Sequence, residues 1–583
     1  MAWWRGPDVW LPWCLLAAAL VAVPVLGDDY LAYQLGLYLL YGLVTQGIAL
    51  TWGRCGFLPL GQALFFGLGA YVSGAVLKGS EHQALWWAAW PLAVLGPAVL
   101  AWALARVLFA RRFESGPFFS LITLALGMLG FQIASQWSSV TGGFNGLGGI
   151  PDLPGLDRYA RLYWLIVGVV LLATAAWVAL DRLPIGTLWR ATAEQENRLQ
   201  FFGFATDRLK ALAFGLSGAL GGLAGALYAP HQGLVTPPVM GFQLSAELVI
   251  WAAVGGRSSP YGALLGAVGI GWLSATLRQE FVYWEVIVAL LFIAVVLRFP
   301  GGAVSLAAPL WRRLARRSAS PQAVPAPTRP GPRDDEVLVF EGVRVVQQGV
   351  TILDALDLRV ATRGVHGLIG PNGAGKTSTF NALTARLPLA AGRIRWCGED
   401  LAGLTADAIA RRGVGRKFQI PSIFPALTVA EHLRIATWAQ RAHGMDLLRM
   451  RTQHWRTPLR DAVEAELPFL VEASGRPAGE LSQGQRQMLE LVLTLLPEPR
   501  LLLLDEPCAG LSTHETAQQL ALIATAVARL QATALLIEHD FSAVERLATQ
   551  VHVLHQGRLL ASGTLAQLQA DAAVQAVYAG GRK

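Results

Sequence analysis

Charged residues are scarce in this chain of 583 residues. Asp, Glu, Lys and Arg together make up 15% of it, whereas hydrophobic residues make up 54%. In soluble globular proteins about a quarter of the residues are charged, so the composition excludes a wholly soluble protein. Residues 1–310 consist of apolar runs with sparse charges, while residues 333–583 have the composition of an ordinary soluble domain. The sequence therefore predicts a membrane-embedded half followed by a soluble half.

Cysteine is also rare, and its spacing excludes two kinds of structural site. The four cysteines are Cys14, Cys55, Cys397 and Cys508. Their positions match neither a disulfide framework nor a zinc site. Cys508 adjoins a motif described below, but small residues usually fit such turns, so we expect no redox role for it.

Acidic residues are outnumbered by basic ones, which gives a formal net charge of +8. Such an excess can indicate nucleic-acid binding, but here much of it lies beside apolar runs. With the N-terminus placed in the cytosol, the basic residues concentrate on the cytosolic side, as the positive-inside rule requires. They are Arg106, Arg111, Arg112, Arg182, Arg190, Arg198, Arg208, Arg298, Arg312, Arg313, Arg316 and Arg317. We therefore expect contact with membrane lipid and no nucleic-acid partner.

Long apolar runs fill the first half of the chain. Most approach the ~20 residues that a helix needs to cross the hydrocarbon of a bilayer, so we predict a polytopic all-α domain with about ten crossings. The run at 244–256 is short, which indicates a broken or re-entrant segment. The runs lie near residues 10–27, 30–52, 57–77, 85–109, 117–137, 162–180, 209–229, 244–256, 261–277 and 281–298.

A proline- and alanine-rich stretch separates the two halves. Residues 318–335 read SASPQAVPAPTRPGPRDD and show no apolar periodicity. This composition favours an extended, semi-rigid chain. We therefore place a transmembrane domain at 1–310, a basic and proline-rich cytosolic linker at 311–335 and a soluble domain at 336–583.

One carboxylate lies inside an apolar run. Glu247 is flanked by apolar residues within the stretch 242–251. A charge at membrane depth is costly and usually functional, so Glu247 is a candidate for a transport path. The alternative is a structural acid that is hydrogen-bonded to Ser245 or to a helix end, and the sequence does not separate the two.

The soluble half contains a phosphate-binding motif. Residues 370–377 read GPNGAGKT, follow the strand-like run 365–369 and match G-x-x-x-x-G-K-[ST]. Glycines let backbone N–H groups wrap phosphates at the N-terminus of a helix, Lys376 would reach the β- and γ-phosphates, and Thr377 would bind Mg²⁺. The predicted ATP-binding residues of this loop are Gly370, Pro371, Asn372, Gly373, Ala374, Gly375, Lys376, Thr377 and Ser378.

A second motif follows about 130 residues later. Residues 501–506 read LLLLDE, an apolar strand that ends in two acids. Sites in open α/β sheets lie at the carboxyl ends of the strands, so Asp505 is placed to bind Mg²⁺. Glu506 is then placed to orient or deprotonate an attacking water.

Together with four further motifs, this half resembles the ABC ATPases over about residues 337–580. Leu481–Gln485 (LSQGQ) is similar to the signature LSGGQ, with Gln483 in place of a glycine. Gln419 stands at the Q-loop position, Ala509–Ser512 resembles the D-loop, and His539 stands at the position of the switch histidine.

The resemblance implies an α/β P-loop NTPase fold and two ATPase domains that close head to tail around two ATP molecules. Ser482, Gly484 and Gln485 would contact the nucleotide bound by the partner domain. Gln419 would reach the Mg²⁺ that accompanies ATP, and it would support hydrolysis together with Glu506 and His539. One copy of the chain would therefore not make a complete site.

The membrane half resembles the permease subunits of importers for branched-chain amino acids and for their urea and amide relatives, over about residues 30–303. The stretches that carry the resemblance are 56–62, 141–147, 222–228 and 253–257. Gln62, Thr141 and Asn145 lie in these stretches and join Glu247 as candidates for the transport path. The cytosolic loop 184–208 resembles the segment that docks into the ATPase.

The resemblance implies ATP-driven import of a small solute across the bacterial inner membrane. Residues 232–237 favour branched-chain or other hydrophobic amino acids, whereas residues 416–419 and 553–557 resemble urea-type ATPases. Amino acids are the first interpretation, and urea or a short-chain amide is the alternative. An ABC exporter would have fewer and longer helices, and a regulatory ABC protein would not need an intact set of catalytic residues.

Partner proteins follow from the same resemblance. Importers of this group use a second permease subunit, a second ATPase subunit and a periplasmic solute-binding protein. In this chain one permease and one ATPase are joined, which keeps the two at high effective concentration. The chain either pairs with a second copy of itself or with another half, and we favour the second arrangement.

One position departs from the ABC pattern. ABC ATPases usually stack an aromatic ring on adenine shortly before the P-loop strand, and that position is Gln347 here. We predict that Gln347→Tyr tightens ATP binding by about 2- to 10-fold, because aromatic stacking is worth about 0.5–1.5 kcal/mol. Titration with a fluorescent ATP analogue measures the change. Unchanged affinity would show that adenine does not lie at this position.

Overall fold

A computed structural model describes residues 7–79, 83–110, 116–307, 323–328, 337–360, 363–538 and 541–580. The chain divides into two compact units. The first comprises residues 1–193 and 206–320, and the second comprises residues 194–205 and 321–583. The short segment 194–205, which interrupts the first unit in sequence, thus belongs by its contacts to the second.

The first unit is helical. Its longer helices among the described residues are α1 (Pro7–Leu26), α2 (Asp29–Ala49), α3 (Gln62–Gly79), α4 (Gln83–Ala110), α5 (Pro117–Gln136), α6 (Arg161–Arg182), α7 (Pro184–Phe201, which extends into the second unit), α8 (Thr206–Gln232), α9 (Phe242–Gly255), α10 (Pro260–Glu280) and α11 (Trp284–Arg298). A two-stranded bridge joins β1 (Leu147–Gly148) to β2 (Leu234–Val235). Each of the ten predicted apolar runs coincides with one of these helices, and α7 lies in the predicted cytosolic loop.

Six described helical segments are long and apolar enough to cross a membrane, by length and composition. They are Asp29–Arg54, Trp90–Ala110, Pro117–Gln136, Arg161–Arg182, Thr206–Gln232 and Pro260–Glu280. Two shorter apolar helical segments are Leu11–Val25 and Phe242–Gly255. The short run expected near 244–256 is therefore one continuous short helix, and the total of ten crossings stays a prediction.

The third apolar run begins as a helix later than its composition predicts. A π-helical turn, Leu50–Arg54, ends α2, and the chain then stays irregular until Gln62. Gly56 has φ +79°, and Pro59 has no N–H to continue a helix. The freed backbone groups find partners on α5, because Leu60 N–H donates to Thr123 Oγ1 (3.1 Å) and Ser120 Oγ donates to the Leu58 carbonyl (2.6 Å). This is how a membrane segment tolerates a break.

Glycines allow close approach between helices of the first unit. A Cβ added to Gly225 on α8 would overlap the carbonyl oxygen of Phe66 on α3, and one added to Gly69 on α3 would overlap the Gly222 carbonyl. Small residues at such crossings bring helix backbones together where lipid offers no hydrophobic drive for association. Close packing through glycine is therefore present at this crossing.

We predict that Gly225→Ala destabilises the membrane unit by about 1–3 kcal/mol, because the added methyl group overpacks the α3–α8 crossing. Gly168→Ala on α6 is the matched control, since a Cβ there meets no atom within 4 Å. Thermal unfolding of the purified chain in detergent compares the two. Equal melting temperatures would contradict the close approach.

The described residues of the second unit contain twelve strands. They are β3 (Val324–Pro325), β4 (Leu338–Gln347), β5 (Val350–Val360), β6 (Gly364–Ile369), β7 (Ala391–Trp396), β8 (Glu399–Asp400), β9 (Val414–Lys417), β10 (Trp455–Arg456), β11 (Leu501–Asp505), β12 (Thr533–Ile537), β13 (Ala548–His555) and β14 (Arg558–Gly563). Six form a sheet in the order β14-β13-β6-β12-β11-β9, and four form an antiparallel sheet in the order β5-β4-β7-β8.

Helices accompany these sheets. The principal ones are α12 (Lys376–Leu383), α13 (Ala406–Arg411), α14 (Val429–Trp438), α15 (Pro458–Glu466), α16 (Gln483–Leu495), α17 (Thr513–Leu530), α18 (Phe541–Leu547), α19 (Leu565–Ala570) and α20 (Ala572–Gly580). The six-stranded sheet is parallel except for β14. The predicted fold class, a helical membrane domain followed by an α/β P-loop NTPase, is confirmed.

The predicted linker is described only in part. Within 311–335, the structure describes residues 323–328, and there the short strand β3 pairs in parallel with β10. Ala326 N–H donates to the Arg456 carbonyl (2.9 Å). The described portion is therefore extended, as the composition predicts, and it is paired to the second unit. The domain boundaries themselves stay predictions.

Candidate active site

The phosphate-binding motif forms a loop between a strand and a helix. β6 ends at Ile369 and α12 begins at Lys376, so all nine predicted loop residues, 370–378, lie in this connection or in the first helical turn. Gly375 has φ +99°, and a Cβ there would lie 2.7 Å from the Leu353 side chain. The loop therefore needs glycine at that position for both conformation and space.

Lys376 is anchored on its own loop. Its Nζ donates to the carbonyl oxygens of Gly370 (2.8 Å) and Pro371 (3.1 Å). Burial lowers the pKa of Lys376, while the charges of Glu506 and Asp505 act in the opposite direction. The lysine thus lies between the phosphate-binding loop and the two predicted acids.

Two of the three predicted metal ligands, Thr377 and Asp505, lie next to each other. Thr377 Oγ1 donates to Asp505 Oδ1 at 3.4 Å, and the Asp505 side chain is buried at the end of β11. Burial raises the pKa of Asp505, whereas the positive charge of Arg416, whose Nη2 lies 3.6 Å from Asp505 Oδ2, lowers it. A hydroxyl and a carboxylate suit Mg²⁺, which typically takes one or two protein oxygens and completes its shell with phosphate and water. No group of three or more His, Cys, Asp or Glu that could hold a metal occurs among the described residues.

The predicted catalytic acid contacts the predicted Q-loop residue. Gln419 Nε2 donates to Glu506 Oε2 at 2.7 Å. Glu506 has φ +45°, and its N–H donates to the Ile537 carbonyl (2.9 Å), which fixes the turn after β11. Non-glycine residues rarely adopt this conformation, and such strain is concentrated at functional sites. His539, the third predicted catalytic residue, lies outside the described residues.

The signature residues form the N-terminus of another helix. Ser482 caps α16 in a capping box: its Oγ accepts from Gln485 N–H (3.2 Å), and Gln485 Oε1 accepts from Ser482 N–H (3.1 Å). Gly484 leaves room for the Glu515 carboxylate, which a Cβ would overlap. The Ser482 residue is solvent-exposed, and its described hydrogen bonds involve Gln485 rather than the phosphate-binding loop.

A buried charged cluster next to the site was not predicted as functional. Arg416 and Lys417 on β9 and Glu490 on α16 are each at most 3% exposed. Lys417 Nζ lies 3.7 Å from Glu490 Oε2. In the sequence, residues 415–419 were noted only for their resemblance to a family motif. Glu490 gives a clearer signal, because it interrupts the apolar run 488–496. A carboxylate inside an apolar helical stretch is the signal that could have found it.

The four candidates for the transport path lie on different elements and have different hydrogen-bond partners. Gln62 is buried on α3 and donates to Ser217 on α8 through Nε2 (2.9 Å), while its Oε1 has no hydrogen-bond partner among the described residues. Thr141 Oγ1 donates to the Ala134 carbonyl (2.6 Å), and Asn145 is exposed at the end of a short 3-10 turn. No described hydrogen bond joins these three candidates to one another.

Glu247 has partners other than the one expected for a structural acid. It accepts from Gln243 Nε2 (3.3 Å) and lies 3.6 Å from the Arg278 guanidinium. Ser245 Oγ instead accepts from Ala63 N–H (3.4 Å). The hydrogen bond to Ser245, one form of the structural alternative for Glu247, is therefore not formed. Glu247 and Ser245 are only two positions apart on a helix and so point to different sides.

Gln347, the position predicted to lie near adenine, is the last residue of β4. It pairs with Val350 across the turn at Gln348 and Gly349, and its side chain is exposed. Gln348 has φ +49° and Gly349 has φ +80°, so this hairpin turn has the left-handed backbone that connects antiparallel strands. The exposed side chain leaves the position open to a ligand.

Two family descriptions match this chain. Residues 30–297 match "Branched-chain amino acid transport system / permease component", and residues 353–509 match "ABC transporter". The two matched segments lie in the predicted membrane half and the predicted ATPase half, respectively.

Individual relatives match the ATPase half. The high-affinity branched-chain amino acid transport ATP-binding protein BraF of Pseudomonas aeruginosa is 36% identical over 249 residues, which cover 42% of this chain and 98% of BraF. LivG of Escherichia coli, with the same description, is 33% identical over 249 residues, which cover 42% and 98%. Among solved structures, a nucleotide-free ATP-binding cassette from an ABC transporter is 25% identical to this chain, with a TM-score of 0.36. The match covers 42% of this chain and 98% of the cassette.

We predict that Glu506→Gln lowers the kcat of ATP hydrolysis by about 10²–10⁴-fold, because the amide cannot take a proton from the attacking water. ATP affinity should change less than twofold, since an amide oxygen can still accept the hydrogen bond from Gln419. Phosphate release and equilibrium ATP binding measure the two effects. Turnover at the wild-type rate would remove Glu506 from the catalytic role.

Proposed function

The chain belongs to the ABC transporters of the branched-chain amino acid type, with a permease and an ATPase in one polypeptide, and from that premise we propose that it imports a branched-chain or other hydrophobic amino acid across the bacterial inner membrane. It is a membrane-embedded transporter whose ATPase lies in the cytoplasm, and ATP hydrolysis drives transport. The solute and the particular membrane are the proposed parts of this assignment.

The observation that carries the proposal is the pairing of two contacts at the ends of β9 and β11. Thr377 lies against Asp505, and Gln419 is hydrogen-bonded to Glu506. An ATPase that had lost catalysis would have no reason to keep both contacts next to a phosphate-binding loop. These contacts therefore support a hydrolysing ATPase over a regulatory ABC protein, while import is inferred from the match of residues 30–297 to the permease component.

In the proposed reaction, each residue of the site has one task. The N–H groups of the loop 370–378 and Lys376 Nζ would bind the β- and γ-phosphates. Thr377 Oγ1 and Asp505 would hold Mg²⁺, which neutralises phosphate charge when bound. Glu506 would orient the attacking water and accept its proton, while Gln419 would hold the Glu506 carboxylate in position.

The partner domain would complete the site. Ser482 is exposed at the N-terminus of α16, where free N–H groups and the helix dipole favour an anion. Gly484 and Gln485 lie in the same first turn. We propose that these three residues bind the γ-phosphate held by a second ATPase subunit, and that a second permease subunit pairs with this one.

A periplasmic solute-binding protein would deliver the solute to the paired permeases. Gln62, Thr141, Asn145 and Glu247 remain the proposed residues of the transport path. Gln62 has the best support, because its buried Oε1 has no hydrogen-bond partner among the described residues. An unpaired buried oxygen is costly unless another group meets it.

Uptake of labelled leucine and of labelled urea tests the solute. Cells would express this chain with its partner subunits, and Glu506→Gln in the same complex is the inactive control. We expect leucine uptake that excess valine blocks and that the control loses. Uptake of urea alone would assign the chain to the urea branch, and uptake of neither solute would refute the proposed substrate class.

A further inference from the structure

An arginine is completely buried in the segment 194–205. This segment contains a break in helix α7 at Gln195 (φ −148°, ψ 75°) and belongs to the second unit. Arg198 is 1% exposed. Arginine is almost never fully buried unless it is paired, so the contacts of this side chain need a specific explanation.

Three hydrogen bonds fix the Arg198 guanidinium. Nη1 donates to the carbonyl of Arg416 on β9 (2.8 Å), and Nη2 donates to Thr494 Oγ1 (3.0 Å) and to the Glu490 carbonyl (3.4 Å) on α16. The rings of Phe202 and Phe418 lie 4.8 and 5.7 Å from Arg198 Cζ. Arg198 therefore joins β9 to the C-terminal half of α16.

Glu490 connects this arginine to the Q-loop. Its carboxylate is 0% exposed, with Arg198 Nη1 at 4.0 Å and Lys417 Nζ at 3.7 Å. Glu490 Oε1 also accepts from the N–H groups of Phe418 and Ser422, both at 3.2 Å. These two N–H groups stand on either side of Gln419 in the chain, so the carboxylate fixes the backbone that presents the Gln419 side chain.

The positive charge of Arg198 matters because the Glu490 carboxylate is inaccessible to solvent. A buried carboxylate needs paired cations and hydrogen bonds, and removal of one partner from a buried pair is strongly unfavourable. Without Arg198, Lys417 would be the one cation left within 4.0 Å of Glu490 among the described residues. Its Nζ also donates to Gln487 Oε1 (3.2 Å) and to the Phe418 carbonyl (3.3 Å). The backbone at Gln419 would then lose part of its support.

We propose that Arg198 is a positioning residue for ATP hydrolysis, which acts through Glu490 and the backbone of residues 418–422 to hold Gln419 against Glu506. This inference rests on the proposed function, because it concerns the rate of the same ATPase. It assigns to one side chain of the segment 194–205 an effect on the hydrolytic step. The simple alternative is that Arg198 contributes to stability alone.

The test compares Arg198→Met and Arg198→Lys with Arg411→Ala in the full chain, assembled with its partner subunits. Arg411 is the matched control: its Nη1 donates to the Gly203 carbonyl of the same segment (3.0 Å), but it pairs with Asp407 rather than Glu490. Steady-state ATPase assays would be normalised to the number of folded sites, counted by tight binding of an ATP analogue.

For Arg198→Met we expect at least a tenfold lower kcat with a KM for ATP within twofold of wild type, because Gln419 acts on water attack rather than on binding. Arg198→Lys should recover part of the loss, since it keeps the charge but lacks the forked donors. Arg411→Ala should stay within twofold of wild type. A kcat per folded site that is unchanged in Arg198→Met, or lowered equally in Arg411→Ala, would overturn the proposal.

Arg198→Met leaves Glu490 with Lys417 as its counter-charge, so a double-mutant cycle with Glu490→Gln separates positioning from a folding failure. Glu490→Gln keeps the Oε1 acceptor for Phe418 and Ser422 but takes the carboxylate away from Lys417. If Arg198 acts through Glu490, the double variant lowers the kcat per folded site by less than the product of the two single effects, because residues that act through one contact are not additive. A double variant that shows the full product would contradict the role of Glu490.

Failure of this inference is distinguishable from failure of the proposed function. If the wild-type complex neither hydrolyses ATP nor takes up leucine or urea, the proposed function fails. If the wild type does both and the Arg198 variants keep its kcat, the inference alone fails.

Discussion

The parallel pairing of β11 with β9 is the constraint on which the ATPase site depends. Leu504 is paired with Lys417, so two residues further along each strand Glu506 meets Gln419. A shift of one residue in this register would turn the alternating side chains to opposite faces. The same pairing brings Arg416 towards Asp505. The central position of β11, between β9 and β12, thus determines which side chains reach the phosphate-binding loop.

Burial of charged side chains is the main unfavourable contribution to this arrangement, and it is offset because carboxylates and cations lie close together. Asp505 and Glu490 are nearly inaccessible to water, and Arg416, Lys417 and Arg198 lie within 4.0 Å of one or the other. Burial lowers the pKa of Arg416 to about 10 and also lowers that of Lys417, while the neighbouring carboxylates act in the opposite direction. Such clusters rigidify a site when every member is paired.

The membrane unit meets a different constraint, because backbone groups at membrane depth need partners within the protein. The break between α2 and α3 satisfies this through Ser120 and Thr123 on α5. The α3–α8 crossing uses Gly69 and Gly225 to bring backbones together. Irregular chain and close helix packing therefore occur in the same part of the unit, around Gln62.

The sequence alone determined the two halves, the positions of ten apolar helices, the phosphate-binding loop and the acids Asp505 and Glu506. These depend on local properties: apolar length, glycine spacing and a strand that ends in two carboxylates. It did not reveal the late start of α3, the partners of Glu247 or the buried cluster of Arg198, Arg416, Lys417 and Glu490. Only the tertiary structure decided these, because they depend on which distant backbone groups meet. Arg198 and Glu490 are 292 residues apart in the chain, and nothing in either local sequence specifies the other.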